Sequence, residues 1–159
     1  MNKHPMTRAG AERLRAELQR LKTVERREIS RALADARGHG DIAENADYDA
    51  AKERQGLIEA RIRDIEAKLA HAHVVDPAAI DDAGGKIVFG ATVDLEDLGS
   101  GAEVSYQIVG DDEAEIKAGK ISVNSPIARA LIGKHAGDTA EVQAPSGVRE
   151  YEILAVRYV

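Results

Sequence analysis

The chain has 159 residues, no cysteine and a formal net charge of −6, with 43% hydrophobic but only 3% aromatic residues. Without cysteine there is no disulfide framework and no thiolate metal site, and no stretch approaches the roughly 18 apolar residues that a membrane-spanning helix requires, so the chain reads as cytoplasmic. Charge is uneven, with 15 Lys and Arg against 13 Asp and Glu in residues 1–75 and only 7 against 15 in residues 76–159; free nucleic acid is therefore a poor partner for the second half, and a protein is a better one.

Met1-Asn2-Lys3-His4-Pro5 leads into a charged helix and not into an apolar leader. Leu14, Leu18 and Leu21, then Ile29, Leu33 and Ala36, recur at steps of three and four and predict a first helix that ends at Gly38-His39-Gly40, with Thr7 as its N-cap. Ile58, Ile62, Ile65 and Leu69 predict a second helix from about Ala43 to about Ala72. Both patterns read as coiled-coil seams. At 1.5 Å per residue, arms of roughly 27 to 30 residues make an antiparallel hairpin about 40 to 45 Å long.

Its tip, residues 38–50, holds Asp41, Glu44, Asp47 and Asp49. Two carboxylates about 6 Å apart repel by about 3 kcal/mol at an effective dielectric constant of 20, so such a cluster calls for a counter-ion, and oxygen donors suit Mg²⁺. The spacing also fits a capping box, with Asp41 as N-cap and Glu44 reaching back; one residue can serve both roles. Tyr48, the only aromatic residue before Phe89, either packs across the turn or offers a face for stacking on a base. Arg26, Arg27, Arg31, Arg37, Lys52 and Arg54 lie toward the tip and form either a phosphate-facing group or a solvated face.

After Val75-Asp76-Pro77 the periodicity changes, dividing the chain into a hairpin domain, 1–76, and a second domain, 77–159. Ile87, Phe89, Ala91, Val93 and Leu95 alternate as one strand, Val104, Tyr106 and Ile108 as another, and Ile121 and Val123 as a third. Ser125-Pro126 opens a short helix from Ile127 to Lys134, and Pro145-Ser146-Gly147 turns between two last strands. Both residue parities are apolar in these strands, so the buried face is left open. The fold class is α+β. No phosphate-binding glycine loop and no Ser or Cys paired with His is recognisable, His71 and His73 lack a third ligand, and the loop Gly110 to Glu115 is either solvated or a docking surface. Self-contained catalysis is not indicated.

Met6-Thr7 with Gly10, His39-Gly40-Asp41, Glu44-Asn45-Ala46, Tyr48, Ala51-Lys52-Glu53, Ile65 to Leu69, Val88 to Val93, Gly110 to Ala114 and Ile121 to Lys134 together resemble the bacterial GreA/GreB transcript-cleavage factors, on the GreA side of that family, over nearly the whole chain. The resemblance implies an FKBP-like second domain docked at the rim of the secondary channel of RNA polymerase, and a coiled coil that passes down the channel. It implies an accessory factor, monomeric and not itself an enzyme, whose Asp41 and Glu44 help hold a Mg²⁺ shared with the polymerase and activate water to cleave backtracked RNA. Tyr48, Arg37 and Lys52 would face the RNA 3′ end or its phosphates. No metal is expected to be held tightly by the free protein, because two monodentate carboxylates leave most of an octahedral shell to water. Candidate docking residues are Asp112, Glu113, Ser125 and Pro126. Three positions depart from the family pattern: Gly38 where an acid is common, Arg27 where a proline often breaks the arm, and Asp49 where a histidine is common. These bear on the efficiency of cleavage. A non-cleaving channel-binding regulator, a prolyl isomerase argued from fold analogy alone and a coiled-coil adaptor are the competing readings.

Overall fold

The computed structural model of the chain describes residues 3–38, 45–80 and 84–159. These form two units, residues 11–72 and residues 3–10 with 73–159. The expected boundary after Asp76 therefore differs from this division at both ends, since residues 3–10 group with the second half and the hairpin unit stops at Ala72.

The hairpin is built from α1 (Arg8–Arg20), a π turn (Leu21–Glu25) and α2 (Arg26–Arg37) as one continuous arm, and α3 (Ala46–Ala70) as the other. Both arms are rich in Ala, Leu, Glu and Arg, which favour helix, and each turns its aliphatic seam inward. Ile29, Leu33, Ala51, Ile58 and Ile62 form the buried cluster, with Leu18, Leu21, Ala32 and Tyr48 packed against it. Burying an Ile or Leu side chain contributes about 1.5 to 3 kcal/mol, so this narrow seam carries most of the hairpin's stability. Exposed and half-buried ion pairs flank it. Arg61 meets Glu17 with two bonds of 2.7 and 2.8 Å, which hold its guanidinium above its ordinary pKa, Lys22 meets Glu66 at 2.9 Å, and Arg26 clasps Glu59 at 2.9 and 2.7 Å. Such pairs contribute little individually but fix the register of the arms.

In the second unit, β3 (Thr92–Asp97), β4 (Glu103–Val109), β5 (Lys120–Ser122), β6 (Thr139–Ala144) and β7 (Gly147–Arg157) form one sheet in the order β5-β4-β3-β7-β6. Only the β4–β5 pair is parallel. Helix α4 (Pro126–Leu131) packs on one face, where Ala128 and Leu131 join Val93, Leu95, Ile108, Ile121, Ala140, Val142, Tyr151 and Ile153 in the core. The helix is shorter than the expected span to Lys134. Ile87 and Ala91 are fully buried, but the strand itself begins only at Thr92, because Gly90 turns the chain at φ 92°.

The buried face that alternation left open is settled by a bulge. Asp94 faces Ala155 while Leu95 faces Ile153, so Leu154 is skipped and sits 41% exposed. Before it Tyr151 and Ile153 point inward, and after it Val156 and Tyr158 pack on the core. One extra residue reverses the parity.

Two short strands were not expected. β1 (His4–Thr7) and β2 (Ala72–Val75) form a sheet of their own, so the N-terminal segment is a strand before it is a helix.

Candidate functional site: the hairpin tip and the N-terminal clip

Asp41 and Glu44, the carboxylates on which the metal reading depends, lie outside the described residues. Their flanks are defined. Asn45, in an extended conformation, is the N-cap of α3, its Oδ1 accepting the Tyr48 N–H at 3.1 Å, and its Nδ2 donates to the Ala36 carbonyl near the end of α2. One side chain therefore caps one arm and ties it to the other. The cap of α3 is Asn45 and not Asp41, so the helix starts at Ala46 rather than about Ala43. Asn is as good a cap as Asp and brings an amide donor that a carboxylate lacks.

Arg37, in the last turn of α2, holds its guanidinium over the Tyr48 ring, 5.9 Å from the centroid, and its positive charge also suits the C-terminal end of that helix. Tyr48 is partly buried and packs on the hairpin seam. Lys52 stands one turn further along α3, exposed, with Nζ 3.4 Å from Gln55 Oε1. Arg37, Tyr48 and Lys52 thus share the tip end of the hairpin, with Asp47 and Asp49 in the first turn of α3, where carboxylates complement the helix dipole. Gly38 closes α2, its N–H bonding to Asp35 O at 3.1 Å. Arg27 continues α2 as an exposed helical residue, and the irregularity of that arm is the π turn just before it.

The four docking candidates sit in the second unit, and all but Pro126 are engaged internally. Glu113 is only 7% exposed; its carboxylate accepts the Thr7 N–H at 2.9 Å, the Gly110 N–H at 3.2 Å and the Thr7 hydroxyl. Thr7 Oγ1 in turn accepts the Gly10 N–H at 3.2 Å, capping α1 as expected. Asp112 bonds the His4 ring at 2.7 Å. Glu113 is thus the centre of a clip that holds residues 4–10, and its carboxylate is not part of the surface. Two glycines make room for it, since a Cβ on Gly10 would overlap the Glu113 carboxyl and one on Gly110 the Pro5 carbonyl oxygen. Ser125 caps α4 through the Ala128 N–H at 3.3 Å, with Pro126 in the first turn, and Asp111 beside it accepts from Ser122 and Asn124. Pro126 and the Asp111-Asp112 edge are exposed. The Thr7–Gly10 and Gly110–Glu113 motifs were both visible in the sequence; what was missed is that they meet.

Both halves match models of one family: residues 4–74 match "Transcription elongation factor, N-terminal" and residues 82–158 match "Transcription elongation factor, GreA/GreB, C-term". The chain belongs to the GreA/GreB family of transcription elongation factors. GreA of Methylococcus capsulatus is 64% identical over the full length of both chains, and GreA of Ralstonia nicotianae 65%, again over all of both. Among solved structures, GreA factor homolog 1 of Thermus thermophilus is 33% identical, with 98% of this chain and 99% of that one covered and a TM-score of 0.42.

Proposed function

We propose that this GreA/GreB family chain binds RNA polymerase and stimulates the polymerase's own cleavage of backtracked RNA, reaching the active centre with the hairpin tip. The observation that carries this is Asn45. Because it caps α3 and secures Ala36, the neighbouring acids Asp41 and Glu44 are not needed to start that helix, and their charge is left for another role.

Mg²⁺ would be held by Asp41 and Glu44 together with carboxylates of the polymerase. Two carboxylates are an incomplete donor set for this hard cation, which suits a shared ion that keeps waters and open positions. When bound, such an ion polarises phosphate and lowers the pKa of its water. The chain's own part is to carry the two carboxylates between the end of α2 and the Asn45-capped start of α3, to present the Tyr48 ring and Lys52 ammonium toward the RNA 3′ end, and to set Arg37 beside them. The sheet unit serves in this reading as the FKBP-like docking domain on the rim of the secondary channel, through the exposed Pro126 edge and the Asp111-Asp112 loop, and the factor acts as a monomer. Among the described residues no helix is long and apolar enough to cross a membrane.

RNA cleavage in a stalled, backtracked elongation complex tests this, comparing the natural chain with Asp41→Asn and Glu44→Gln at matched occupancy. The natural chain should accelerate cleavage, and the variants should bind yet lose at least tenfold in rate, the loss expected for about 1.4 kcal/mol of transition-state stabilisation. Binding without acceleration by the natural chain would make it a non-cleaving regulator instead.

A further inference from the structure

The first arm of the hairpin carries one residue more than its seam needs. Leu14, Leu18 and Leu21 are spaced four and three, and continuing that alternation through Glu25 puts the next inward positions at 28, 32 and 35. The residues actually buried are Ile29, Leu33 and Ala36, each one place further on. The π turn takes up the extra residue, with the Arg26 N–H reaching back five residues to the Leu21 carbonyl and the Thr23 hydroxyl donating to the Gln19 carbonyl at 2.7 Å. The opposite arm keeps an unbroken three-four alternation through Tyr48, Ala51, Gln55, Ile58, Ile62, Ile65 and Leu69.

Three features at the same level thin the hairpin further. Glu25 and Gln55 bring polar side chains to part-buried seam positions. Gly56 lies between Arg54, which bonds Glu25 at 2.8 Å, and Glu59, which bonds Arg26; a Cβ there would meet nothing within 4 Å, so packing does not call for glycine, while its backbone freedom weakens the helix. The polar ties between the arms at this level include one exposed ion pair, Arg54–Glu25, and one half-buried pair, Arg26–Glu59, both still reached by water and weakened by salt. π turns inside helices mark bends and hinges, and cooperative units part where buried apolar contact is thin.

We propose that the hairpin is jointed here: residues 26–38 and 46–55 open and move as one unit about the π turn and Gly56, independently of residues 11–20 and 58–70. The joint follows from the hairpin alone. Its use, letting a carboxylate-bearing tip adjust inside a channel while the base stays fixed, rests on the reading above.

Amide hydrogen exchange on the full free chain tests it at low and high salt. Residues 28–37 and 48–55 should exchange through one shared opening, with a step in protection across residues 21–26 and 55–58 and faster exchange of the tip half in high salt. Gly56→Ala should slow the tip half about two- to five-fold, the effect of one glycine in a helix, and leave the base half unchanged. Deleting Thr23, exposed in the π turn, restores the three-four spacing and should erase the step. A smooth gradient of protection running inward from the tip, or equal slowing of both halves by Gly56→Ala, overturns the joint. No polymerase is present in this measurement, so its failure is separate from a failure of the cleavage reading.

Discussion

Glu113 shows how far a single residue can be read from sequence. In an acidic run its carboxylate looks like one more solvated charge or docking contact, yet it is buried and spends its lone pairs on Thr7 and Gly110. A pairing across 106 residues has no signature in local spacing; only the juxtaposition of two glycines whose Cβ atoms would collide with the clip betrays it afterwards. Capping, by contrast, is local, and Thr7 and Ser125 were legible as caps because the bond each makes lies within three residues. Asn45 was not, because Asp41-x-x-Glu44 offered a more complete capping pattern one turn earlier. The clip yields a firm expectation. Glu113→Ala leaves the buried Thr7 and Gly110 N–H groups unpaired and should destabilise the second unit by about 1 to 3 kcal/mol, and Gly10→Ala, which overfills the same space, by a similar amount. Urea midpoints of the full chain, followed by a probe in the sheet unit, check both. A variant whose midpoint is unmoved would remove the clip from the account of stability.

At the scale of elements the sequence was legible where one period ran unbroken. α3 holds its heptads over 25 residues, and β4 keeps Val104, Tyr106 and Ile108 toward the core. Two of the places where the reading was incomplete contain one inserted residue each. The eight-residue step from Leu21 to Ile29 conceals the π turn, and Leu154 conceals the bulge that reverses the parity of β7. Asp94, beside that bulge on β3, links three strands: Arg157 of β7 donates to it at 2.8 and 3.2 Å, and the Ser105 hydroxyl of β4 donates as well. The bonds from Arg157 and then Ser105 hold its carboxyl below the usual Asp range. A depressed carboxyl pKa gives stability that is fully present above the unfolded value of about 3.9 and is lost as pH falls through the lower folded value. The gap in urea midpoint between the natural chain and Asp94→Asn should therefore stay level from pH 7 to about pH 5 and close below about pH 4. A gap that persists in acid would mean that packing around the bulge, and not the charge, sets the contribution of this residue.

The division of the whole chain was the hardest feature to read, because a composition shift at Asp76-Pro77 marks where the helical pattern stops and says nothing of where the first residues go. Strand β1 is four residues long, too short for alternation to register, and it precedes the helix that dominates its neighbourhood. Yet its residues complete the sheet unit. Met6 and Thr7 are 2% and 3% exposed, and β1 supplies the partner of β2 as well as the donors for Glu113. A fragment cut at the compositional boundary, residues 77–159, would lose β1 and β2 together and leave the Glu113 carboxylate without its Thr7 donors, whereas residues 73–159 with a peptide of residues 1–10 supplied in trans would regain them. The longer fragment should bind that peptide saturably and gain thermal stability with it, by at least a few degrees for the roughly 1 to 3 kcal/mol at stake in a domain of this size. The same peptide with Thr7→Val, which keeps the strand but has no hydroxyl to donate to Glu113, should bind more weakly. Equal binding of the two peptides would show that strand pairing alone seats the N-terminal segment and that the carboxylate at its centre is incidental to the unit's assembly.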